Sequence, residues 1–215
     1  MSFFLTASGI GSRSMTELTS LTEASGTDVA QVLTDAFLDD PGWRAVGPDR
    51  EGHRRLVMSG YHRVLNRKAL RWGCPGYAAV RGGRLVGVAV TFDSESWPPP
   101  EPLSTLLDIP AFVLAGPFAA LRGARTEATM RRAHFDEPHL YLWQLAVDPR
   151  AQRSGVGRAL MARVIADADD AHVPVYLETA NPENVPYYRS FGFVETGRET
   201  LPRAAPLWLM LRAHS

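Results

Sequence analysis

The sequence predicts a mixed α/β fold with one central sheet, and three observations lead to this class. Segments with the pattern of strands come before, between and after segments with the pattern of helices. The length of 215 residues favours one well-packed domain over two. Residues 142–161 have the pattern of a buried strand, a sharp turn, a glycine-containing loop and the start of a helix.

The first half of the chain predicts one strand, two helices and a hairpin. Apolar residues recur at three- and four-residue spacing in the first helix, and the turn residues 39–42 end it. Apolar runs on either side of Gly82-Gly83 predict the hairpin, because a tight turn needs positive φ angles at its centre. The expected bounds are a strand over 16–22, a helix between 25–28 and 39–42, a helix over 51–65, and hairpin strands over 77–80 and 85–90.

The second half predicts short helices, followed by alternating strands and helices and a final hairpin. Gly116-Pro117 is expected to break one of the short helices. The expected bounds are helices over 103–107, 112–122 and 126–132, a strand over 139–147, a helix over 155–167, a strand over 173–178, a short helix over 185–190, and hairpin strands over 193–198 and 207–211.

The composition excludes several classes of protein. Lys plus Arg and Asp plus Glu number 23 each, so no net charge attracts nucleic acid or a membrane surface. The one cysteine, Cys74, allows no internal disulfide and argues against a zinc site, so no metal is expected. No apolar run reaches the roughly 20 residues of a membrane span, and a cytoplasmic location is expected. Residues 1–14 are predicted to be a flexible N-terminal extension and 15–215 the domain.

Gly155 and Gly157 stand between the strand and the helix of the segment 142–161. Glycine lets the backbone curl and approach a ligand, and a helix start favours anions, so this loop suits a pyrophosphate. Ordinary turn glycines are the alternative. A dinucleotide-binding fingerprint would need a third glycine where Leu160 stands, and no Gly-Lys-Ser/Thr follows to make a Walker loop.

The run Gln152-Arg153-Ser154-Gly155-Val156-Gly157 resembles motif A of the GNAT superfamily of N-acetyltransferases, Gln/Arg-x-x-Gly-x-Gly/Ala. The resemblance extends from about residue 16 to the C-terminus. It implies the GNAT fold, a mixed and mostly antiparallel sheet of about seven strands, splayed between strands 4 and 5 and flanked by helices. It also implies acetyl-CoA as the co-substrate.

The resemblance assigns main-chain groups to the co-substrate. The edge of the strand at Leu145, Ala146 and Val147 would pair with the pantetheine arm, and the N–H near Leu145 would polarise the thioester carbonyl. Arg153 and Arg158 would either add charge or be solvated surface residues. The backbone N–H groups expected to hold the pyrophosphate belong to Gln152, Arg153, Ser154, Gly155, Val156, Gly157 and Arg158.

Residues 177–193 resemble motif B of the same superfamily, Asn-x-x-Ala-x-x-Phe-Tyr-x-x-x-Gly-Phe. Asn181 matches the Asn, which joins the co-substrate site, and Gly192-Phe193 matches the Gly-Phe. Asn184 departs from the motif's Ala. Tyr188 matches the Tyr and would be the general acid that protonates the thiolate, although a packed aromatic with a satisfied hydroxyl is the alternative.

The general base is the least determined part of the sequence pattern. Glu178, at the end of a predicted strand, is the first choice. Glu137, His139 and Gln144 are further candidates, and Gln144 could only orient a water because an amide takes up no proton at neutral pH. An ordered water acting as the base would leave no trace in the sequence.

The resemblance implies transfer of an acetyl group to a primary amine of a small molecule by direct attack on the thioester. The segment 177–188 is most similar to the puromycin N-acetyltransferase branch. Residues 37–44 and 97–135 are expected to form the acceptor pocket, with Trp43, Trp97 and Phe135 as stacking residues. The alternatives are a protein N-terminal or lysine acetyltransferase and a non-catalytic acyl-CoA sensor. The chain is expected to be a monomer or a homodimer.

Overall fold

The computed structural model describes residues 15–71, 73–94 and 113–215. The predicted extension 1–14, the predicted helix 103–107 and Trp97 lie outside these residues. In the described chain, no helix has the length and apolar character needed to cross a membrane.

Seven strands of the described chain form one sheet in the order β1-β2-β3-β4-β5-β7-β6. All neighbouring strands are antiparallel except β4 and β5, which run parallel. The mixed, mostly antiparallel sheet predicted from the sequence is therefore confirmed. The strands are β1 Thr16–Ser20, β2 Gly76–Arg81, β3 Arg84–Asp93, β4 Leu140–Val147, β5 Val175–Thr179, β6 Val194–Thr200 and β7 Pro206–Arg212.

The helices of the described chain are α1 Gly26–Phe37, α2 Pro41–Val46, α3 Glu51–Arg71, α4 Pro117–Ala133, α5 Val156–Asp170 and α6 Asn184–Arg189. The predicted break at Gly116-Pro117 is confirmed, because residues 113–115 are helical, Gly116 is not, and α4 begins at Pro117. The predicted gap between the helices 112–122 and 126–132 was wrong, because α4 runs unbroken to Ala133. The predicted helix end at 39–42 is confirmed, since α1 ends at Phe37, but Asp40 and Pro41 also start α2, which was not predicted. Proline fits the first turn of a helix because its missing N–H has no partner there anyway.

Helices cover both faces of the sheet, and each face has its own core. On one face Leu160 and Val164 of α5 pack against the strands, and on the other Val29 and Leu33 of α1 do so. The sequence spacing of three and four residues predicted both helical faces. Helices packed on both faces therefore hold the central strands of the sheet in place.

The parallel pair β4–β5 is joined at one end only. Leu140 pairs with Val175 and Tyr141 with Tyr176, whereas Leu142 and residues 144–147 pair only with β3. This confirms the predicted splay between strands 4 and 5. The edge of β4 that faces the splay leaves backbone N–H and C=O groups available to a ligand.

A bulge in β4 lies where the splay opens. Thr91 pairs with Leu142 and Val90 with Gln144, so Trp143 is the extra residue. The bulge changes the alternation of the strand, because Leu142 and Leu145 pack against the same core although they lie three residues apart. No local feature of residues 139–147 predicts this bulge. Residues 142–145, which surround the bulge, line the cavity described below.

Arg54 of α3 holds the chain around α2 in place. Its guanidinium donates to the carbonyl oxygens of Leu38 at 2.9 Å, Pro48 at 3.1 Å and Asp49 at 3.0 Å, and only 5% of the residue is exposed. We expect Arg54→Ala to lower the free energy of unfolding by about 2–4 kcal/mol, because it leaves these carbonyl groups without their donor. Urea unfolding monitored by circular dichroism measures this loss.

The matched control is Arg55→Ala, on the next residue of the same helix. Arg55 has a partly exposed side chain that pairs with Asp35, and such pairs are worth about 1 kcal/mol or less. Equal losses in the two variants would contradict the role given to Arg54.

Candidate active site

A cavity of about 350 Å³ opens where β4 and β5 separate. Its walls come from α1, α2, α3, α4, both splayed strands and α6, and they are mostly apolar or aromatic. Phe37, Trp43 and Met130 line it, as the predicted pocket segments require. Phe135 does not line it, because its ring packs against Tyr176 and His139.

Tyr188 of α6 lies in the wall of this cavity and is only 8% exposed. Its ring meets those of Tyr187 and Phe193 edge-on. Burial is the main cause that raises the pKa of the Tyr188 hydroxyl, and the nearby Tyr187 and Asp40 raise it further. The phenol therefore stays protonated at neutral pH and has a proton to give.

Glu178 also lines the cavity, but its side chain is only 2% exposed. It accepts a hydrogen bond from the hydroxyl of Tyr141 at 2.5 Å and one from that of Tyr176 at 3.0 Å. Burial and then the Glu178 charge raise the pKa of both tyrosines, so both remain donors. The carboxylate joins β4 and β5 just where the two strands begin to separate.

The other predicted bases take different positions. Gln144 lines the cavity beside the β4 bulge. His139 is buried among the rings of Tyr141 and Tyr176, and its Nδ1 lies 2.7 Å from the carbonyl oxygen of Glu137. Burial lowers the pKa of His139, which favours the neutral ring.

The loop between β4 and α5 curls through two residues with positive φ angles. Arg153 has a φ of 58° and Gly155 a φ of 90°. The first helical hydrogen bond of α5 joins the Ala159 N–H to the Gly155 carbonyl oxygen, so the N–H groups of residues 156–158 have no partner within the helix. Such a helix start attracts an anion.

Side chains around this loop fix its shape. The Gln152 amide donates to the Val147 carbonyl oxygen at 3.3 Å, and Arg81 donates to the Ser154 hydroxyl at 2.9 Å. The guanidinium of Arg158 lies 5.1 Å from the centre of the Phe191 ring. Val156, in contrast, is buried in the core, so only its backbone could serve a ligand.

Gly157 lies at the closest approach between the loop and α6. A Cβ built there would lie 3.0 Å from the hydroxyl oxygen of Tyr187 and 3.5 Å from a methyl group of Val147. That hydroxyl is buried and has no hydrogen-bond partner among the described residues, and burial raises its pKa to about 12. A buried hydroxyl beside an open helix start suits a polar ligand.

Most of the predicted co-substrate residues lie close together along the chain. Leu145, Ala146 and Val147 belong to the part of β4 that pairs with β3 but not with β5, and the loop 152–158 follows before α5 begins. Asn181 lies beyond β5, where its side chain accepts a hydrogen bond from the Glu183 N–H at 3.0 Å. A long ligand with amide groups and an anionic end fits this edge and loop, and coenzyme A is such a ligand.

Asp40 lies within the predicted pocket segment 37–44 and lines the cavity, but no role was predicted for its carboxylate. Asp40 accepts a hydrogen bond from the Gly42 N–H at 2.8 Å and starts α2. The order Asp-Pro-Gly is itself a helix-start signal, with an N-cap residue followed by proline at the first helical position. The position of Asp40 in the same cavity wall as residues of β4 depends on the fold and has no local signal.

A mixed sheet that splays at its parallel pair, with an anion-binding helix start on one side and a cavity on the other, is the architecture of an acetyltransferase. The model of the Acetyltransferase (GNAT) family matches residues 38–193. The chain therefore belongs to this family.

Solved structures of low sequence identity share the fold. The structure described as histone acetyltransferase HPA2 and related acetyltransferase, from Corynebacterium glutamicum, has a TM-score of 0.69 at 22% identity, over 93% of this chain and 97% of that one. The ribosomal-protein-S18-alanine N-acetyltransferase of Escherichia coli has a TM-score of 0.55 at 16% identity, over 94% and 95%. The structure of yncA from Salmonella typhimurium, solved with its cofactor acetyl-CoA, has the same values.

Proposed function

We propose that this protein transfers the acetyl group of acetyl-CoA to a primary amine of a small molecule. The observation that carries the proposal is the cavity of about 350 Å³, which meets the unpaired edge of β4. A pocket of this size and apolar character suits a compact ligand. The parallel with the puromycin N-acetyltransferase branch supports the same acceptor class.

The chain's own residues supply the other parts of the reaction. The backbone of the loop 152–158 and of Leu145, Ala146 and Val147 would hold the co-substrate, with Asn181 supporting the turn into α6. Acetyl-CoA supplies the acetyl group as an activated thioester, which the amine attacks directly. The N–H near Leu145 polarises the carbonyl, and the hydroxyl of Tyr188 gives its proton to the leaving sulfur.

Glu178 remains a proposed base. Each of its carboxylate oxygens accepts one tyrosine hydrogen bond and keeps a second lone pair that can take a proton. The free N-terminal amine or a lysine of a protein is the second proposed acceptor, and the Escherichia coli neighbour is named for a ribosomal-protein alanine. We further propose a cytoplasmic monomer or homodimer.

Thiol release from acetyl-CoA with a panel of small primary amines, puromycin included, tests the proposal. We expect turnover with at least one amine and none without an acceptor. A peptide panel with free N-termini and lysines is run in parallel. Turnover with peptides alone would identify a protein acetyltransferase, and coenzyme binding without any turnover would identify a sensor.

A further inference from the structure

The charges in the cavity wall have one sign. Asp40, Glu127 and Glu178 line the cavity, and the described part of its lining contains no Lys, Arg or His. The rest of that lining is mostly apolar, with Trp43, Tyr61 and Trp143 as large aromatic faces. An apolar cavity with a negative potential selects a ligand that combines a cationic group with an apolar body.

Asp40 differs from the other two carboxylates in its surroundings. Glu178 is buried and accepts two tyrosine hydrogen bonds, and Glu127 forms an ion pair with Arg131. No cation within the described ranges pairs with Asp40, whose Oδ1 accepts from the Gly42 N–H at 2.8 Å. Its carboxylate therefore lacks a counter-charge that a bound ligand can provide.

Asp40 also lies in the same cavity as the residues to which the reaction is assigned. A Cβ built on Gly42, two residues away, would lie 3.0 Å from the Cβ of Ala180, directly after β5. The charge of Asp40 is close enough to Tyr188 to contribute to the raised pKa of that hydroxyl. Because Asp40 and Tyr188 line the same cavity, a group bound to Asp40 shares that cavity with the predicted general acid.

We propose that Asp40, in place of Glu178, takes the first proton from the ammonium group of the acceptor and binds that group, and that the acceptor is a cationic primary amine with a flat apolar body. This inference rests on the proposed function. The body would pack against Trp43, Tyr61 and Trp143. Burial raises the pKa of the Asp40 carboxyl, against the effect of the backbone hydrogen bonds from Gly42 and Trp43, and this brings it closer to that of a useful proton acceptor.

The proton balance of the step is complete. Asp40 takes one proton from the ammonium, and the freed lone pair forms the C–N bond to the acetyl carbon. The C–S bond breaks with its electrons on sulfur, which receives the Tyr188 proton. The second proton on nitrogen restores the Tyr188 hydroxyl, and Asp40 releases its proton to water.

The first test measures binding alone. Calorimetry in the presence of CoA compares 4-phenylbutylamine with 4-phenylbutan-1-ol, which has the same apolar body without the charge. We expect the wild-type protein to prefer the amine by about tenfold or more, and Asp40→Asn to lose this preference. Asparagine caps a helix start as well as aspartate does, so the fold of α2 is retained.

The matched control is Asp39→Asn, which removes the same charge from the adjacent residue. Asp39 is exposed and pairs with Arg44 at 2.6 Å, and it is absent from the cavity lining. We expect this variant to keep the preference for the amine. No preference in the wild-type protein, or an equal loss in both variants, would overturn the proposal.

The second test uses turnover with an amine that the panel identifies. We expect Asp40→Asn to lower kcat/KM by about 100-fold while the affinity for acetyl-CoA is unchanged. An active Asp40→Asn enzyme beside a folded, inactive Glu178→Gln enzyme would overturn the role of Asp40. If no amine reacts but the preference for 4-phenylbutylamine depends on Asp40, the binding site is supported and the proposed function fails.

Discussion

Gly157→Glu is expected to abolish binding of coenzyme A. The new side chain would start 3.0 Å from the buried hydroxyl oxygen of Tyr187, and its negative charge would occupy the helix start where the pyrophosphate is expected. We expect the affinity measured by calorimetry to fall by more than about 100-fold. Unchanged affinity would contradict the assignment of the loop 152–158 to the co-substrate.

Gly52→Glu is the matched control for this variant. Gly52 is the second residue of α3, as Gly157 is of α5, and a Cβ built on Gly52 meets nothing within 4 Å. Both changes add the same side chain and charge to the first turn of a helix. We expect Gly52→Glu to bind coenzyme A as the wild-type protein does, which separates an effect on the site from a general effect of the charge.

Tyr188→Phe is expected to remove most of the turnover and to leave binding of coenzyme A intact. Phenylalanine fills the same buried space but has no proton to give, and loss of a general acid costs about 10²–10⁴-fold in rate. Single-turnover thiol release with the reactive amine measures the loss, and calorimetry measures the binding.

Tyr187→Phe decides between the two neighbouring tyrosines. The Tyr187 hydroxyl lies against Gly157, whereas Tyr188 lines the cavity. A larger loss of turnover in Tyr187→Phe would move the acid to Tyr187 and contradict the motif B assignment.

The pH profile of turnover tests the same assignment. The fold raises the pKa of the Tyr188 hydroxyl, so this hydroxyl stays protonated up to at least the ordinary tyrosine pKa of about 10. We therefore expect no loss of turnover from ionisation of Tyr188 up to about pH 10.

The local parts of the site could be predicted from the sequence, and the long-range parts could not. Gly155 has a φ of 90°, a backbone conformation that favours glycine. Its place in the turn could therefore be predicted from the strand and helix patterns on either side. The splay was also predicted, but through the resemblance of motifs A and B to a family. The helix α2 was missed because proline marks both helix starts and helix ends, and only tertiary packing distinguishes them.

The carboxylates show the same limit. Glu178 stands at a strand end, as a catalytic or a solvated Glu would, and nothing nearby in sequence indicates that Tyr141 donates to it from another strand. Asp40 and Tyr188 are far apart along the chain and meet at one cavity. Sequence reasoning identifies residue types and spacing, whereas the partner of a buried charge depends on the complete fold.

The separation of β4 from β5 places a free strand edge in the interior of the sheet. The outer edges of the sheet are β1 and β6, and β6 carries Glu195, Arg198 and Glu199, charges that discourage pairing with another molecule. The inner edge lies between β4 and β5 instead, with α1 and α5 packed against β4. A strand of a second protein would have to enter between these layers, whereas a narrow chain with amide groups needs less room. The separation of the two strands therefore favours backbone pairing with a small molecule over edge-to-edge association of two proteins.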